Sequence, residues 1–282
     1  FPLDAAYELY RRLFSGLDAD LGRYRHIVYV PTGAMESLPL SLLVNEAPTS
    51  ETSYKDAAWV TKRHTITRLP VVGTLKALRL FAGQSNGNEP LKGFGDPVLE
   101  GKGTTLRGLK IVKLYKGQAA NTDAVRALPP LPDTAVELRQ IAHLLGANDN
   151  ALYLGEAATE TAAKTVNLSS SRVVAFATHG LVAGDLGHLA EPALVLTPPQ
   201  EGTPKDDGLL TASEIAQLKL DADWVILSAC NTAAAEKPGA EGLSGLARAF
   251  IYAGARSLLV SHWPVETRAA TQLTTGLFTA LK

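Results

Sequence analysis

The sequence predicts an α/β fold in which helices cover both faces of a mostly parallel sheet. Apolar runs of strand length alternate with helical patterns along most of the 282 residues, an order that is typical of parallel sheets. One of these runs, WVILSAC at 224–230, carries no charge and is typical of a central strand. With 46% hydrophobic and 20% charged residues, the chain has the composition of an ordinary soluble globular protein with a sizeable core.

The elements of the first half follow from local patterns. Residues 4–15 are amphipathic, 26–31 is an apolar run that ends in a Pro-Thr-Gly turn, and 59–69 alternates like a half-exposed strand. A second helical pattern ends at Gly83. The predicted elements are helices at 4–15 and 71–83 and strands at 26–31, 59–69, 91–97 and 109–115.

Capping signals mark the helices of the second half. Asp133 is predicted to cap a helix that ends at Gly146, and Thr159 to open another. Thr211, with Glu214 three positions later, has the pattern of a capping box. The predicted elements are helices at 134–145, 159–166, 211–218, 242–254 and from 266, and strands at 151–155, 172–180, 191–198, 224–230 and 256–263.

The clearest linker by composition is RALPPLPD at 126–133. We predict one domain over 1–282, with the alternative of an N-terminal half at 1–125 and a second half at 133–282. The chain starts at Phe1 and stops at Lys282 inside a helical pattern, so we expect it to be a piece of a longer protein.

Charge and cysteine content limit the function classes. The net charge of −1 offers no basic excess for nucleic acid. The sequence shows no apolar run of membrane-spanning length and no signal peptide, so we expect no membrane partner. The single cysteine excludes an internal disulfide, which favours a reducing, cytoplasmic setting.

Two reactive residues follow apolar strands, His179 after VVAFAT and Cys230 after WVILSA. In open α/β sheets, ligands bind at the carboxyl ends of the strands. If the two strands are neighbours, the imidazole lies beside the thiol, where it stabilises a thiolate and protonates a leaving amine. Gly180 lets the backbone approach a substrate closely, and the N–H groups of Gly180 and Cys230 are candidate oxyanion donors.

A structural interpretation competes with this chemical one. Cysteine is among the most buried residue types, and a lone Cys230 at a strand end is more often structural than reactive. The pairing with His179 on equivalent strand ends favours chemistry. The two residues are 51 positions apart, and caspase-type cysteine proteases place the histidine about 50 residues upstream of an Ala-Cys pair such as Ala229-Cys230.

Longer strings carry a resemblance to a known family. They are IVYVPTGAMESLPLSLL, FATHG, DDGLLTASEIAQLKLDADWVILSACNT and GAEGLSGLARAFIYAGARSLLVSHWPV. From about Tyr7 to Lys282, the chain resembles the CHAT domain, a caspase-like peptidase domain often found after tetratricopeptide repeats and related to caspases, separases, gingipains and legumains. The resemblance implies a caspase-like three-layer α/β/α sandwich with a mostly parallel central sheet. It also implies that His179 and Cys230 are the catalytic dyad, with the backbone of Gly180 and Cys230 as oxyanion donors.

The substrate-binding residues are expected around this dyad. In caspase-like folds the segment after the last core strand pairs with the substrate as an added strand, and here that segment contains Ser261, His262 and Trp263. Trp263 would wall a specificity pocket, or simply pack at the strand end. Asn231 is a further candidate.

Two loop carboxylates are also candidates for the pocket. Asp185 and Asp207 would favour a basic residue before the scissile bond, as in separase. The alternative is that they only form turns and caps, as most loop aspartates do.

Other chemistry finds no support in the sequence. FGDPVLEGKGTT at 94–105 has the wrong glycine spacing for a phosphate loop, and GLSGL at 242–246 lacks the second glycine of a nucleophile elbow. No GxGxxG follows a strand, and the scattered histidines have no metal-ligand spacing. We therefore expect no cofactor and no metal.

We expect a cysteine endopeptidase that cleaves protein or peptide substrates. The polar loops at 199–208 and 233–242 flank the proposed cleft, so control is expected there. The regulator would be a partner protein or a tetratricopeptide-repeat region outside this sequence. The alternative is a catalytically silent module of the same fold that binds peptides or acts as a scaffold in a signalling assembly. A small-molecule hydrolase has no supporting signature.

Overall fold

The computed structural model describes most of the chain and divides it into two compact units, Phe1–Phe81 and Ala82–Lys282. Each unit is described by itself, and the prediction of a single domain over 1–282, or of halves at 1–125 and 133–282, stays a prediction. The described residues are 1–36, 38–69, 71–80, 83, 85–102, 115–116, 119–181, 189, 191–228, 244–261 and 267–280.

The first unit is a small α/β assembly. Its elements are α1 (Leu3–Phe14), α2 (Asp18–Leu21), β1 (His26–Tyr29), β2 (Thr65–Arg68) and α3 (Val72–Leu80). The strands β1 and β2 form a parallel pair. The strand predicted at 59–69 begins only at Thr65, because Val60–Lys62 form a 3₁₀ turn in which buried Val60 packs with Tyr10, Leu40 and Leu43.

The second unit contains the elements that the site requires. They are β3 (Glu89–Pro97), β4 (Tyr115–Lys116), β5 (Ala119–Ala120), α4 (Thr122–Arg126), α5 (Asp133–Leu145), β6 (Leu152–Gly155), α6 (Glu160–Thr165), β7 (Ser171–Ala177), β8 (Gly180–Leu181), β9 (Ala193–Val195), β10 (Leu209–Thr211), α7 (Ala212–Ile215), β11 (Trp224–Leu227), α8 (Ser244–Ala253), β12 (Leu258–Val260) and α9 (Thr267–Ala280). Of the strand predicted at 109–115, only Tyr115 lies within the described residues.

A five-stranded sheet forms the centre of this unit, in the order β12-β11-β7-β3-β6. All four neighbouring pairs are parallel. The strand β3, which comes first along the chain among these five, lies between β6 and β7. In such sheets ligands bind where the strand order reverses. The predicted α/β class with a mostly parallel central sheet is confirmed.

Helices cover both faces of the sheet, which gives the predicted three layers. On one face, Val173, Ala175 and Ala177 of β7 pack with residues of α5 and α9. On the other face, Val174 and Phe176 of the same strand pack with residues of α6, α7 and α8. This alternation along β7 follows from the two-residue period of a strand.

The strand predicted at 172–180 ends earlier, at Ala177. Beyond it, the Thr178 hydroxyl donates to the carbonyl of Val195, and Gly180 pairs with Leu194. The chain therefore leaves the central sheet and joins a separate antiparallel sheet in the order β10-β9-β8. The strand predicted at 191–198 belongs to this second sheet as β9, so it is not a strand of the central one.

Two glycines of β3 allow α5 to lie very close to the sheet. A Cβ atom on Gly95 would come within 2.6 Å of Leu138, and one on Gly93 within 3.2 Å of the same side chain. A residue with a side chain at either position would push α5 outward. The contact matters because α5 carries groups that reach the ends of β3 and β11.

The capping predictions met different outcomes. Thr159 accepts a hydrogen bond from the N–H of Ala162, and Glu214 accepts one from the N–H of Thr211, as predicted. The role predicted for Asp133 is wrong, because Asp133 is already the first helical residue of α5 and Pro132 precedes it as the cap. Gly146 ends α5 with a φ of 71°, as predicted for a helix C-terminus. Within the described ranges, no helix has both the length and the apolarity needed to cross a bilayer.

Candidate functional site

His179 lies two residues beyond the end of β7, at the carboxyl edge of the central sheet. The neighbouring strand β11 pairs with β7 in parallel, and the last pair of this ladder is Phe176 with Leu227. The N–H of Ser228 extends the ladder by donating to the carbonyl of Phe176 at 2.9 Å. His179 follows Phe176 by three residues, and Cys230 follows its partner Leu227 by three residues. The two candidate catalytic residues therefore have the same sequence separation as the paired residues of the two strands.

The imidazole of His179 is completely buried and is held at one nitrogen. Nε2 lies 2.7 Å from the carbonyl oxygen of Pro129. A carbonyl oxygen only accepts, so Nε2 carries the hydrogen and Nδ1 is the unprotonated nitrogen of the neutral ring. Among the described residues, Nδ1 has no hydrogen-bond partner.

Burial sets the charge of this imidazole. It lowers the pKa of His179, because a charged ring loses its hydration, while the hydrogen bond to Pro129 acts in the opposite direction. The neutral ring is therefore favoured at neutral pH. A fixed, neutral imidazole with an available Nδ1 lone pair is suited to accept a proton from a thiol and to return it to a leaving group.

The other predicted site residues are described only in part. Gly180 begins β8, and Ser261 follows β12 directly. The predicted residues that lie outside the described residues are Cys230, Asn231, Asp185, His262 and Trp263. The roles assigned to all of these residues stay predictions.

Both carboxylate oxygens of Asp207 are occupied by backbone groups. One oxygen accepts from the N–H of Leu209 at 3.0 Å, and the other from the N–H of Ala120 at 2.5 Å. Burial raises the pKa of Asp207 in spite of these two bonds. The carboxylate thus ties β10 to β5, and its predicted role in a substrate pocket stays a prediction.

One short segment, residues 129–137, contacts the ends of three strands of the central sheet, and we call it the bracket segment. Its Pro129 carbonyl binds His179 beyond β7. Its Thr134 hydroxyl accepts from the N–H of Asp96 in β3 at 2.9 Å. Its Glu137 carboxyl group accepts from the hydroxyl of Ser228, next to β11, at 2.8 Å.

Sequence analysis did not identify the bracket segment. The carbonyl of Pro129 has no side-chain signal that would have pointed to it. Glu137 did have one, because it lies on the buried face of α5 with Thr134 and Ile141 at helical spacing. A carboxyl group on such a face is rare enough to be a candidate for a special role.

A polar cleft of about 640 Å³ opens at the same edge of the sheet, beside the ends of β3 and β6. Its lining includes the carboxylates of Glu100, Glu156 and Asp206. Arg126 also lines the cleft, and its guanidinium donates to the carbonyls of Pro198 and Pro199 at 3.1 and 2.9 Å. Across the part of the chain that the structure describes, no group of His, Cys, Asp and Glu side chains has the arrangement of a metal site.

Comparison with known proteins finds one matching family model and related sequences in two mammals. The family model of the CHAT domain matches residues 3–282. Tetratricopeptide repeat protein 28 of Mus musculus is 27% identical over 319 aligned residues, which cover 99% of this chain and 12% of the mouse protein. Tetratricopeptide repeat protein 28 of Homo sapiens is 28% identical over 186 residues, which cover 54% of this chain and 7% of the human protein. The chain therefore spans a small fraction of the length of these relatives.

Proposed function

The chain belongs to the CHAT domain family, and from this membership we propose that it is a cysteine endopeptidase with His179 and Cys230 as its dyad. One observation carries the proposal. His179 is a buried, neutral imidazole whose Nε2 is fixed by Pro129. His179 comes three residues after Phe176 of β7, and Cys230 comes three residues after Leu227, the residue of β11 that pairs with Phe176.

The proposed reaction uses both nitrogens of His179. Nδ1 takes the proton of the Cys230 thiol, and the thiolate attacks the scissile carbonyl carbon, forming a C–S bond and an oxyanion. The N–H groups of Gly180 and Cys230 stabilise that oxyanion. Nδ1 then protonates the amine as the C–N bond breaks. A water molecule then attacks the thioester carbon while Nδ1 takes one of its protons. The C–S bond breaks, the new carboxyl group is released, and Nδ1 returns the proton to the Cys230 sulfur. The Pro129 carbonyl keeps a hydrogen on Nε2 throughout.

The proposed substrate is an extended polypeptide. It would pair with Ser261, His262 and Trp263, and Asn231 would lie beside it. A basic residue before the scissile bond would be favoured by Asp185 or Asp207, and the carboxylates of the neighbouring cleft support a cationic preference. Control would act on the loops at 199–208 and 233–242, through a partner protein or the tetratricopeptide repeats for which the relatives are named, in a cytoplasmic setting.

The single cysteine provides a direct test. Because Cys230 is the only thiol, the rate of alkylation of the native protein by iodoacetamide reports on that residue alone. We expect rapid alkylation at mildly acidic pH, and His179→Ala should slow it about 10-fold or more, because the thiolate loses its imidazole partner. His143→Ala is the matched control, since His143 is exposed on α5. A native thiol that reacts only after denaturant is added would contradict the proposal.

A second function is favoured by the complete burial of His179, because the burial that keeps the ring neutral also leaves it without surface for contact with a substrate. This feature suits a module that binds a peptide strand without cleaving it. Incubation of the wild type and Cys230→Ala with a peptide library distinguishes the two. Cleavage that is lost in Cys230→Ala supports the peptidase. Peptide capture by both proteins, without products even when the tetratricopeptide-repeat region is present, supports the binding module.

A further inference from the structure

Glu137 is a carboxyl group with no exposed surface, on the face of α5 that packs against the sheet. Its two oxygens contact two hydroxyl groups from different elements. Oε2 lies 2.8 Å from the Ser228 hydroxyl, next to the end of β11, and Oε1 lies 3.2 Å from the Thr274 hydroxyl of α9. A buried carboxyl group in this position needs an explanation, because burial without a charged partner is costly.

The protonation state of Glu137 follows from where the hydroxyl proton of Thr274 is used. Thr274 has one hydroxyl proton, and its oxygen lies 2.5 Å from the carbonyl of Ala270, which only accepts. That proton is therefore used within α9. The contact between Thr274 and Glu137 then needs a proton from Glu137 itself. With Glu137 as a carboxylic acid, Ser228 donates to Oε2, Oε1–H donates to Thr274, and Thr274 donates to Ala270.

The surroundings of Glu137 agree with the acid form. Burial is the largest influence on the pKa of Glu137 and raises it, which favours the acid form, although the contacts with the Ser228 and Thr274 hydroxyls act in the opposite direction. With an ionised carboxylate, Oε1 would face the Thr274 oxygen without a proton between them, because the hydroxyl proton of Thr274 lies in the 2.5 Å contact with the Ala270 carbonyl. In the buried space between α5 and α9, an acceptor without a donor is expensive.

Glu137 is connected to the proposed catalytic groups through short links. Ser228 precedes Cys230 by two residues and already bonds to Phe176 of β7 through its N–H. The bracket segment that contains Glu137 also contains Pro129, which fixes His179. Thr274 lies on α9, the helix that follows the segment with Ser261. The carboxyl group of Glu137 thus contacts the residue two positions before the proposed nucleophile and the helix that follows the proposed substrate segment.

We propose that Glu137 is a positioning residue that acts as a neutral carboxylic acid and holds the end of β11 against α5 and α9. The proposal rests on the proposed peptidase function, in which it sets the distance between the thiol of Cys230 and the imidazole of His179. A misplacement of about 1 Å at such a pair is enough to lower the rate about 100-fold.

The experiment compares Glu137→Gln with Glu137→Ala. Gln has the shape of the neutral acid, accepts from Ser228 and donates to Thr274, whereas Ala removes both bonds. We expect Glu137→Ala to lower the alkylation rate of Cys230 and the kcat for a cleaved peptide about 10- to 100-fold, with little change in KM. Glu137→Gln should restore both rates to within about 3-fold of the wild type. Gln140→Ala, exposed on the same helix, is the matched control for α5.

The outcomes distinguish three possibilities for Glu137: a positioning residue that is a neutral acid, a positioning residue that is charged, and a residue without a positioning role. A Glu137→Gln protein as slow as Glu137→Ala would overturn the acid form, and a Glu137→Ala protein as fast as the wild type would overturn the positioning role. If Glu137→Ala fails to fold, Ser228→Ala takes its place, because it removes one bond and leaves the buried group. Wild-type rates in Ser228→Ala would also overturn the proposal.

Infrared spectroscopy separates this proposal from the proposed function. The difference spectrum of wild type minus Glu137→Gln at neutral pH should contain the carbonyl band of a protonated carboxyl group. Absence of that band overturns the acid form, whatever the reactivity of Cys230. An unreactive Cys230 in a wild type that shows the band contradicts the peptidase alone.

Discussion

Glu137 and Glu160 are both buried glutamates of the second unit, with 0% and 1% of their surface exposed, but their partners differ in kind. Glu137 contacts two hydroxyls, which donate or accept. Glu160 contacts only donors: the ammonium of Lys164, and the N–H groups of Asp207 and Gly208 at 2.8 and 3.1 Å. Partners that only donate favour a carboxylate, whereas hydroxyl partners leave room for a proton.

The comparison teaches that burial alone does not decide whether a carboxyl group is protonated or ionised. Burial raises the pKa of both residues. For Glu160 the donors oppose this rise and the nearby Glu214 adds to it, so that its pKa is about 7. Lys164 also donates to Glu214 at 2.7 Å, which shares one positive charge between two carboxyl groups. Glu160 therefore titrates near neutrality, and for Glu137 burial favours the acid form that we propose.

The largest effect is expected for Glu160→Ala. The substitution strips Lys164 of one carboxylate and leaves the N–H groups of Asp207 and Gly208 without their acceptor in a buried place. We expect a loss of about 3 kcal/mol in the free energy of unfolding, measured by chemical denaturation. Glu201→Ala, exposed in the neighbouring loop, should change it by less than about 0.5 kcal/mol. Equal effects of the two substitutions would contradict the role of Glu160 in holding the 199–208 loop.

The pH dependence tests the titration of Glu160. The unfolded chain releases this proton near the usual pKa of 4.5, whereas the folded protein keeps it up to about pH 7. The stabilising contribution is therefore complete below pH 4.5 and is lost as the pH rises to about 7. The free energy of unfolding of the wild type should fall by about 3 kcal/mol relative to that of Glu160→Gln over this range. A difference that is constant with pH would show that Glu160 does not titrate there.

A smaller effect is expected for Thr274→Val. Valine has nearly the shape of threonine but no hydroxyl, so the Glu137 carboxyl group loses its contact with the Thr274 hydroxyl. We expect a loss of about 1 kcal/mol, measured from thermal and chemical unfolding, and Thr274→Ser should recover most of it. Thr275→Val on the same helix is the matched control, because the described bonds of Thr275 go only to α9 carbonyls.

The smallest effect is expected for Glu137→Gln. The amide replaces the acid with both bonds intact, so the loss in the free energy of unfolding should stay below about 1 kcal/mol. Chemical denaturation in parallel with Glu160→Ala makes the comparison direct. A loss as large as that of Glu160→Ala would mean that Glu137 is charged, which would remove the distinction between the two residues.

The fold class and the helix caps were predictable because they depend on patterns among neighbouring residues. The alternation of apolar runs with helices predicted the α/β class and the parallel sheet, which the order β12-β11-β7-β3-β6 confirms. Caps at Thr159 and Thr211 were also predictable, since each bond spans at most three residues. The strand at 191–198 was assigned correctly as a strand, but its sheet depended on pairing with Gly180 and Leu209, far away in the chain.

For the candidate site as well, the residue types were predictable from the sequence, whereas their surroundings were not. The residue types of His179 and Cys230 and their spacing were visible in the sequence, as was the family that they point to. The tautomer of His179, its burial and its contact with Pro129 were not predictable, because the two residues are 50 positions apart and meet only in the folded chain. The hydroxyl partners of Glu137 are likewise 91 and 137 positions away in the sequence.

The sequence alone therefore determined the class of the fold, its caspase-like family and the candidate dyad, since periodicity, caps and motif strings are properties of neighbouring residues. The tertiary structure alone decided which nitrogen of His179 is available, which loop Asp207 and Glu160 hold, and which buried glutamate has hydroxyls for partners. The physical reason is that protonation depends on burial and on the donors within hydrogen-bond reach, and these come from distant parts of the chain.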